Sequence, residues 1–255
     1  MNAAPEGPQT VAGPAAPIRV LQLITELRPA GAERIVYELA RGLPKDRYAV
    51  EVCSLRPATG AVSEWLRADG IPVHSLDMSL KFDPFGPRRL VRLLQDRRVQ
   101  LLHAHLFHAN VLGRWAARRA GLTAAIGTVH IPERRFMPWR FWQERYSLGP
   151  RDVEVCVSES VKRFMLERAG LPEAQVRVIP NGVDLRRFER FQEDAARHEA
   201  GKQLRARCGL PADAPVALAV GRLEEQKDYP LLLNAWQRLI HRSEPRLSRA
   251  HLLIA

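Results

Sequence analysis

The chain has 255 residues, 46% hydrophobic and 26% charged, with a formal net charge of +11. That length holds one large domain or one and a half ordinary ones, and the composition is that of a globular chain. No run of about 18 apolar residues occurs, so no membrane-spanning helix is expected. Residues 1–17, rich in Ala, Pro and Gly with neither an apolar core nor a basic start, are expected to form a disordered leader and not a secretory signal.

Ile18–Thr25 (IRVLQLIT) is mostly apolar, as a strand is when both faces of a parallel sheet are covered. In the segment that follows, ELRPAGAER runs into IVYELARGL, whose apolar residues recur at three and four. Gly31 therefore falls at a strand-to-helix turn, where backbone N–H groups can meet an anion. The dinucleotide pattern GxGxxG is absent. Tyr48–Leu55 reads as a strand, Ala61–Ala68 as a helix, and Pro72–Leu76 as a short strand after an Asp69-Gly70 turn. FDPFGP interrupts the chain before a helix over Arg88–Arg98, and LLHAH follows as a strand. A helix over Ala109–Ala120 and a strand over Ala124–His130 come next. Then follow a helix near Arg140–Ser147, a strand over Val153–Val157, a helix over Ser160–Ala169 capped by Ser158, and a strand over Val176–Ile179. Pro180 stops that strand and Asn181-Gly182 reads as a turn. Regular β-α alternation with short connections predicts an α/β fold: a doubly wound parallel sheet over residues 18–185.

Residues 186–214 are expected to link that domain to the next, with Arg186–Cys208 a charged, alanine-rich helical stretch. Val216–Val220, bounded by Pro215 and Gly221, reads as a buried parallel strand. A polar loop leads to a helix entered through Tyr229-Pro230 and spanning Leu231–His241, then to a last strand, HLLIA. Residues 215–255 thus hold material for one β-α-β unit, near or below the size that folds alone. From that, the chain is expected to be an N-terminal piece of a longer protein.

Three groups of residues carry chemistry. Arg222 and Lys227, in one loop, can bring a guanidinium and an ammonium to one phosphate from different sides. Each such contact is worth about 1.5–3 kcal/mol where water is excluded; the same spacing is also met by two solvated cations. His103, His105 and His108 form HxHxxH, with His103 and His105 on one strand face. The pattern fits polar residues at a strand end, a metal site or a ligand contact. His130 ends its strand at the carboxyl edge of the sheet, where ligand-facing residues belong.

The positive charge is nearly all arginine and is spread in pairs over helix faces. It reads first as solvated surface, then as attraction to anionic lipid headgroups, and last as nucleic-acid binding, for which no motif is present. The stretch Glu133–Trp142 interleaves Arg134, Arg135 and Arg140 with Phe136, Trp139, Phe141 and Trp142. It can pack as an amphipathic helix or lie on a bilayer surface. Cys53, Cys156 and Cys208 are far apart, a spacing that favours neither a disulfide framework nor zinc and fits a reducing, cytoplasmic compartment.

Several of these segments resemble the retaining family 4 glycosyltransferases, enzymes of the GT-B fold. GRLEEQKD (221–228) is similar to the segment opening their C-terminal domain, PAGAERIV (29–36) to their GGAER turn, LLHAHLFHAN (101–110) and TVH (128–130) to their strand ends, and PNGVD (180–184) to their domain crossover. Ala30 replaces the first glycine of the family's pair. The resemblance implies transfer of a sugar from a nucleotide-diphosphate donor, UDP- or GDP-linked, to a lipid-linked or cell-envelope glycan. It implies a donor diphosphate held by Gly31 amides, Arg222 and Lys227, and His130 as the catalytic residue beside sugar and acceptor. His105 would border the cleft, and Asn181 would be a cleft or hinge residue. It implies no metal and no cofactor, the nucleotide-sugar being a substrate, and contact with no nucleic acid. The acidic segment of the second domain lies beyond residue 255 on this reading. A protein of the same fold that binds sugar or nucleotide without turnover is the alternative.

Overall fold

The computed structural model describes residues 16–78, 83–132, 137–241 and 247–255. The chain divides into two compact units, one ending at Gly182 and one spanning Val183–Ala255.

The first unit is a seven-stranded sheet, all parallel, with helices between strands. Its strands are β1 (Ile18–Ile24), β2 (Tyr48–Ser54), β3 (Val73–Ser75), β4 (Leu101–His105), β5 (Ala125–Val129), β6 (Val153–Cys156) and β7 (Val176–Val178). Its helices are α1 (Gly31–Gly42), α2 (Ala61–Ala68), α3 (Gly86–Asp96), α4 (Phe107–Ala120), α5 (Pro138–Ser147) and α6 (Glu159–Ala169). The spatial order is β3-β2-β1-β4-β5-β6-β7, so the winding reverses between β1 and β4. The all-parallel ladder follows from the crossovers, since a helix between consecutive strands returns the chain to the same edge.

Both faces of the sheet are covered, which is why β1 reads as a near-continuous apolar run. Leu21 and Leu23 are fully buried with Leu90, Leu94 and Leu102 in one cluster, while Ile24 is fully buried with Val36, Val62 and Leu66 in another. Each such leucine or isoleucine contributes about 1.5–3 kcal/mol by leaving water. Helix α4 approaches the sheet closely because Gly113 has no side chain; a Cβ there would lie 3.1 Å from Leu102 and Leu23 side chains. Helix ends follow local chemistry. Ser158 caps α6 by accepting from the Val161 N–H at 3.3 Å, and Gly170 and Gly121 end α6 and α4 in the left-handed conformation.

The second unit holds α7 (Asp194–Arg207), α8 (Tyr229–Ile240) and two parallel strands, β8 (Val216–Ala219) and β9 (His251–Ile254). Three expectations need correction. The stretch 186–208 is not one helix: a 3-10 segment, Leu185–Phe191, precedes α7, and the extended backbone of Glu193 (φ −79°, ψ 135°) separates them. Asn181-Gly182 makes no turn, and Gly182 does not adopt the positive φ for which an Asn-Gly pair is selected. Strand β8 is not buried: Leu218 is 57% exposed and Val220, just past the strand, 73%. Among the described residues of this unit only two strands pair, and neither α7 nor α8 has a buried residue, so no layer closes over β8.

Candidate functional site

Crevices beyond the carboxyl ends of parallel strands, where the strand order reverses, collect ligands because loops diverge there and helix N-termini point in. The first unit has a cavity of about 370 Å³ at that place. Thr25 and Glu26 line it after β1, Leu106 and Phe107 after β4, and His130 and Ile131 after β5. Glu33 enters from the first turn of α1, and Arg140, Phe141 and Glu144 from α5. Leu106, between β4 and α4, holds φ +70° and ψ 158°, a conformation that costs a residue other than glycine about 1–3 kcal/mol. Its N–H donates to the Thr128 carbonyl at 3.1 Å and its carbonyl accepts from Asn110 at 2.9 Å, which hold the strained bend at the cavity wall.

His105 and His130 are brought together; their ring nitrogens, Nδ1 and Nε2, lie 3.1 Å apart. Alternation along parallel strands sets up this meeting. Gln22 on β1, His103 and His105 on β4 and Thr128 on β5 share one face, since their neighbours Leu21, Leu23, Leu102 and Ala104 pack on the other. His105 Nε2 faces Gln22 Oε1 at 2.7 Å, and His103 Nε2 faces Thr128 Oγ1 at 2.8 Å. The His103 and His105 rings stack with centroids 4.2 Å apart. Burial pushes His130 down to about 4 and His103 to about 4, and holds His105 well below the ordinary histidine range, with neighbouring imidazoles adding to it for His103 and His105. All three rings are therefore neutral near pH 7. His108, third member of the HxHxxH pattern, lies on α4 and lines the cavity instead of joining the stack. Among the described residues, no cluster of three or more His, Cys, Asp or Glu is placed to hold a metal ion.

Behind the cavity lies a charged network that the sequence reading missed. Arg114 of α4 is buried and pairs with Glu144 of α5 at 2.8 Å and with Glu154 of β6; Ser147 Oγ accepts from it at 3.0 Å and Asn110 donates to Glu154 at 3.2 Å. Burial pushes Glu144 up, opposed by the Arg114 charge. Gly127 of β5 makes room for this pair: a Cβ there would sit 2.5 Å from Arg114 Nη2 and 2.8 Å from Glu154 Oε2. The available signal was a lone Glu between apolar neighbours in VEVC.

Gly31 is the first residue of α1. The N-cap, Ala30, offers no side-chain acceptor to the first N–H groups of this helix, and a Cβ on Gly31 would meet nothing within 4 Å. Asn181 is exposed beyond β7 and does not line the cavity. In the second unit, Arg222 is exposed and paired with Glu224 at 2.9 Å. Lys227 is exposed and ends a short 3-10 turn, Glu225–Lys227. The Tyr229 hydroxyl closes this loop by donating to the Gly221 carbonyl at 2.8 Å. Asp228 then caps α8 by accepting from Leu231.

The profile for Glycosyltransferase Family 4 matches residues 29–187, more than half of the chain. The protein belongs to that family. Its fold is α/β of the GT-B type, as the sequence predicted. The crystal structure of Anabaena HepE with UDP and glucose shares it with a TM-score of 0.73 at 19% identity, over 93% of this chain and 60% of that one. Among curated relatives, the chain is 26% identical over 207 residues to an Escherichia coli UDP-Gal:alpha-D-GlcNAc-diphosphoundecaprenol alpha-1,3-galactosyltransferase, covering 78% of this chain and 52% of that protein. It is 28% identical over 172 residues to a D-inositol 3-phosphate glycosyltransferase of Kineococcus radiotolerans, covering 62% of this chain and 37% of that protein. The chain thus spans about half or less of the length of these relatives.

Proposed function

We propose that this chain belongs to a retaining glycosyltransferase that moves a sugar from a UDP- or GDP-linked donor to a lipid-linked or cell-envelope glycan. The observation that carries this reading is the cavity at the reversal of strand order, with neutral His130 in its wall and the first turn of α1 reaching it through Glu33. The names of relatives support the substrate class: the Escherichia coli protein uses UDP-Gal and a diphosphoundecaprenol-linked acceptor, and HepE was crystallised with UDP-glucose.

On this reading the donor diphosphate is held by the Gly31 amides, Arg222 and Lys227. Negative charge grows on the leaving phosphate as the glycosidic bond breaks, so cations already in position stabilise the transition state more than the ground state. Arg222 exchanges its Glu224 partner for phosphate when donor binds. His130, uncharged, positions sugar and acceptor by hydrogen bonding and adds no further cation. Asn181 serves the crossover between units. Arg222→Ala in the intact protein is expected to lower turnover about 10²–10³-fold, the usual cost of one transition-state charge contact. The check is nucleotide release from UDP- and GDP-sugars with and without glycan acceptors; near-normal transfer by the variant removes this role. Sugar binding without nucleotide release favours the non-catalytic alternative.

We also propose peripheral contact of α5 with an anionic membrane on the cytoplasmic side. Among the described residues no helix is long and apolar enough to cross a membrane. Helix α5 instead buries Phe141, Glu144 and Ser147 and turns Trp139, Trp142 and Tyr146 outward, at 49%, 68% and 78% exposure. Half-exposed Arg145 lies on the same helix, while Arg140 faces the cavity. Rings at headgroup level and guanidinium groups at phosphates suit such a surface. Residues 133–136 of the aromatic and basic stretch lie outside the described residues. Cosedimentation with phosphatidylglycerol vesicles, and not with phosphatidylcholine vesicles, is expected, and Trp142→Ser with Tyr146→Ser is expected to abolish it. Equal retention by both lipids, or by the double variant, ends the proposal.

A further inference from the structure

His130 Nδ1 is buried and has no hydrogen-bond partner among the described residues, although leaving a buried polar group unsatisfied is costly. His130 lines the cavity, and its other nitrogen is the end of a chain that starts two strands away. Gln22, 1% exposed in the middle of β1, places Oε1 2.7 Å from His105 Nε2. His105, fully buried, places Nδ1 3.1 Å from His130 Nε2.

We infer that Gln22 and His105 are positioning residues that hold His130 with its proton on Nε2 and its Nδ1 lone pair open to a ligand hydroxyl. A neutral imidazole carries one proton, so each link fixes the next. The amide oxygen of Gln22 only accepts, which puts the His105 proton on Nε2. Bare Nδ1 of His105 then accepts, which puts the His130 proton on Nε2 and leaves Nδ1 of His130 as an acceptor. His103 does not compete for these nitrogens, since it stacks on His105 and is bound to Thr128. Burial keeps the rings neutral near pH 7, so the tautomer, and not charge, decides what His130 offers.

The ligand this arrangement takes is a neutral hydroxyl of a sugar or polyol. A carboxylate or phosphate would set lone pair against lone pair. The inference rests on the reading that the cavity holds sugar or acceptor. Gln22 itself does not line the cavity, so its effect reaches the ligand only through His105 and His130.

Three variants and two readouts test it. In the ¹⁵N-labelled wild-type protein at pH 7, long-range ¹H–¹⁵N spectra are expected to show His130 protonated on Nε2 alone. Gln22→Glu keeps an acceptor and is expected to keep that tautomer. Gln22→Met keeps the volume, loses the acceptor and is expected to mix the two tautomers. Turnover is expected to fall roughly ten- to hundredfold in Gln22→Met, in kcat more than in KM, the scale seen when an orienting outer partner is lost. Gln22→Glu, which buries a carboxylate beside His105, is read by its tautomer and not by its turnover. His130 protonated on Nδ1 in the wild type, or an unchanged tautomer in folded Gln22→Met, overturns the inference, because the amide then does not set the direction. His130→Ala with undiminished turnover instead overturns the assignment of the cavity to catalysis, while the tautomer spectra still judge the hydrogen-bond chain by itself.

Discussion

Strands β1 and β8 are written in nearly the same alphabet and end in opposite places. VLQLI of β1 is buried at every position, whereas VALA of β8 is half-exposed at its two ends and exposed at its two middle positions. The first lies between β2 and β4 with helices over both faces; the second, among the described residues, pairs only with β9. An apolar run therefore specifies strand geometry, while burial comes from neighbours that the run itself does not encode. The contrast extends to charge. In the first unit Arg114 and Glu154 are fully buried and paired; in the second, Arg249–Asp213 and Arg222–Glu224 are exposed pairs of little energetic weight.

The largest expected effect comes from breaking the buried side of that comparison. Arg114→Ala leaves Glu144 and Glu154 without their cation inside the fold. Removing one partner of a buried pair costs about 3–5 kcal/mol, a large share of a domain's stability. Hydrogen exchange is expected to show β4, β5 and β6 losing protection while segment 216–255 exchanges as before. Equal loss in both units, or none in the first, means that the network does not hold the first unit together.

The first unit's architecture was legible because its signals are local. Periodicity marked the helices to within a few residues, and Ala61–Ala68 coincides with α2. The parity of His103 and His105 followed from strand alternation, and their rings do stack. What was not legible depends on register between strands far apart in sequence. Gln22 meets His105 only because β1 and β4 are adjacent with Gln22 opposite His103, and no spacing within either segment records that pairing. Arg114, Glu144 and Glu154 come from α4, α5 and β6 and converge through packing alone. Gly127 gave the same kind of silence: a glycine inside an apolar strand marks close approach, but not which group approaches. In the second unit the signals for β8 and α8 were equally clear, and what failed was the burial inferred for β8 and the single helix expected over 186–208.

A smaller effect sharpens the comparison through pH. His103, His105 and His130 all sit in the first unit, and burial lowers each below its ordinary value near 6.5. The unfolded chain takes up protons at these sites as pH falls through 6.5, while the folded chain does so only near 4 at His103 and His130. The unfolded state therefore binds more protons in that window, and stability is lost as pH falls through it. At His130 alone the shift corresponds to at most about 3 kcal/mol between these pH values. Thermal melts of the intact chain are expected to be flat above pH 7 and to decline from pH 6.5 to 4, with a shallower decline for His130→Gln. Exchange measured across the same range is expected to place the loss in β4 and β5 and to leave β8 and β9 unchanged. A decline of equal slope when His103, His105 and His130 are all replaced by Gln assigns the acid sensitivity to carboxylates instead, which lose their ion pairs as they protonate at lower pH. That outcome would make the buried imidazoles neutral bystanders and leave the Arg114 network as the feature that separates the two units energetically.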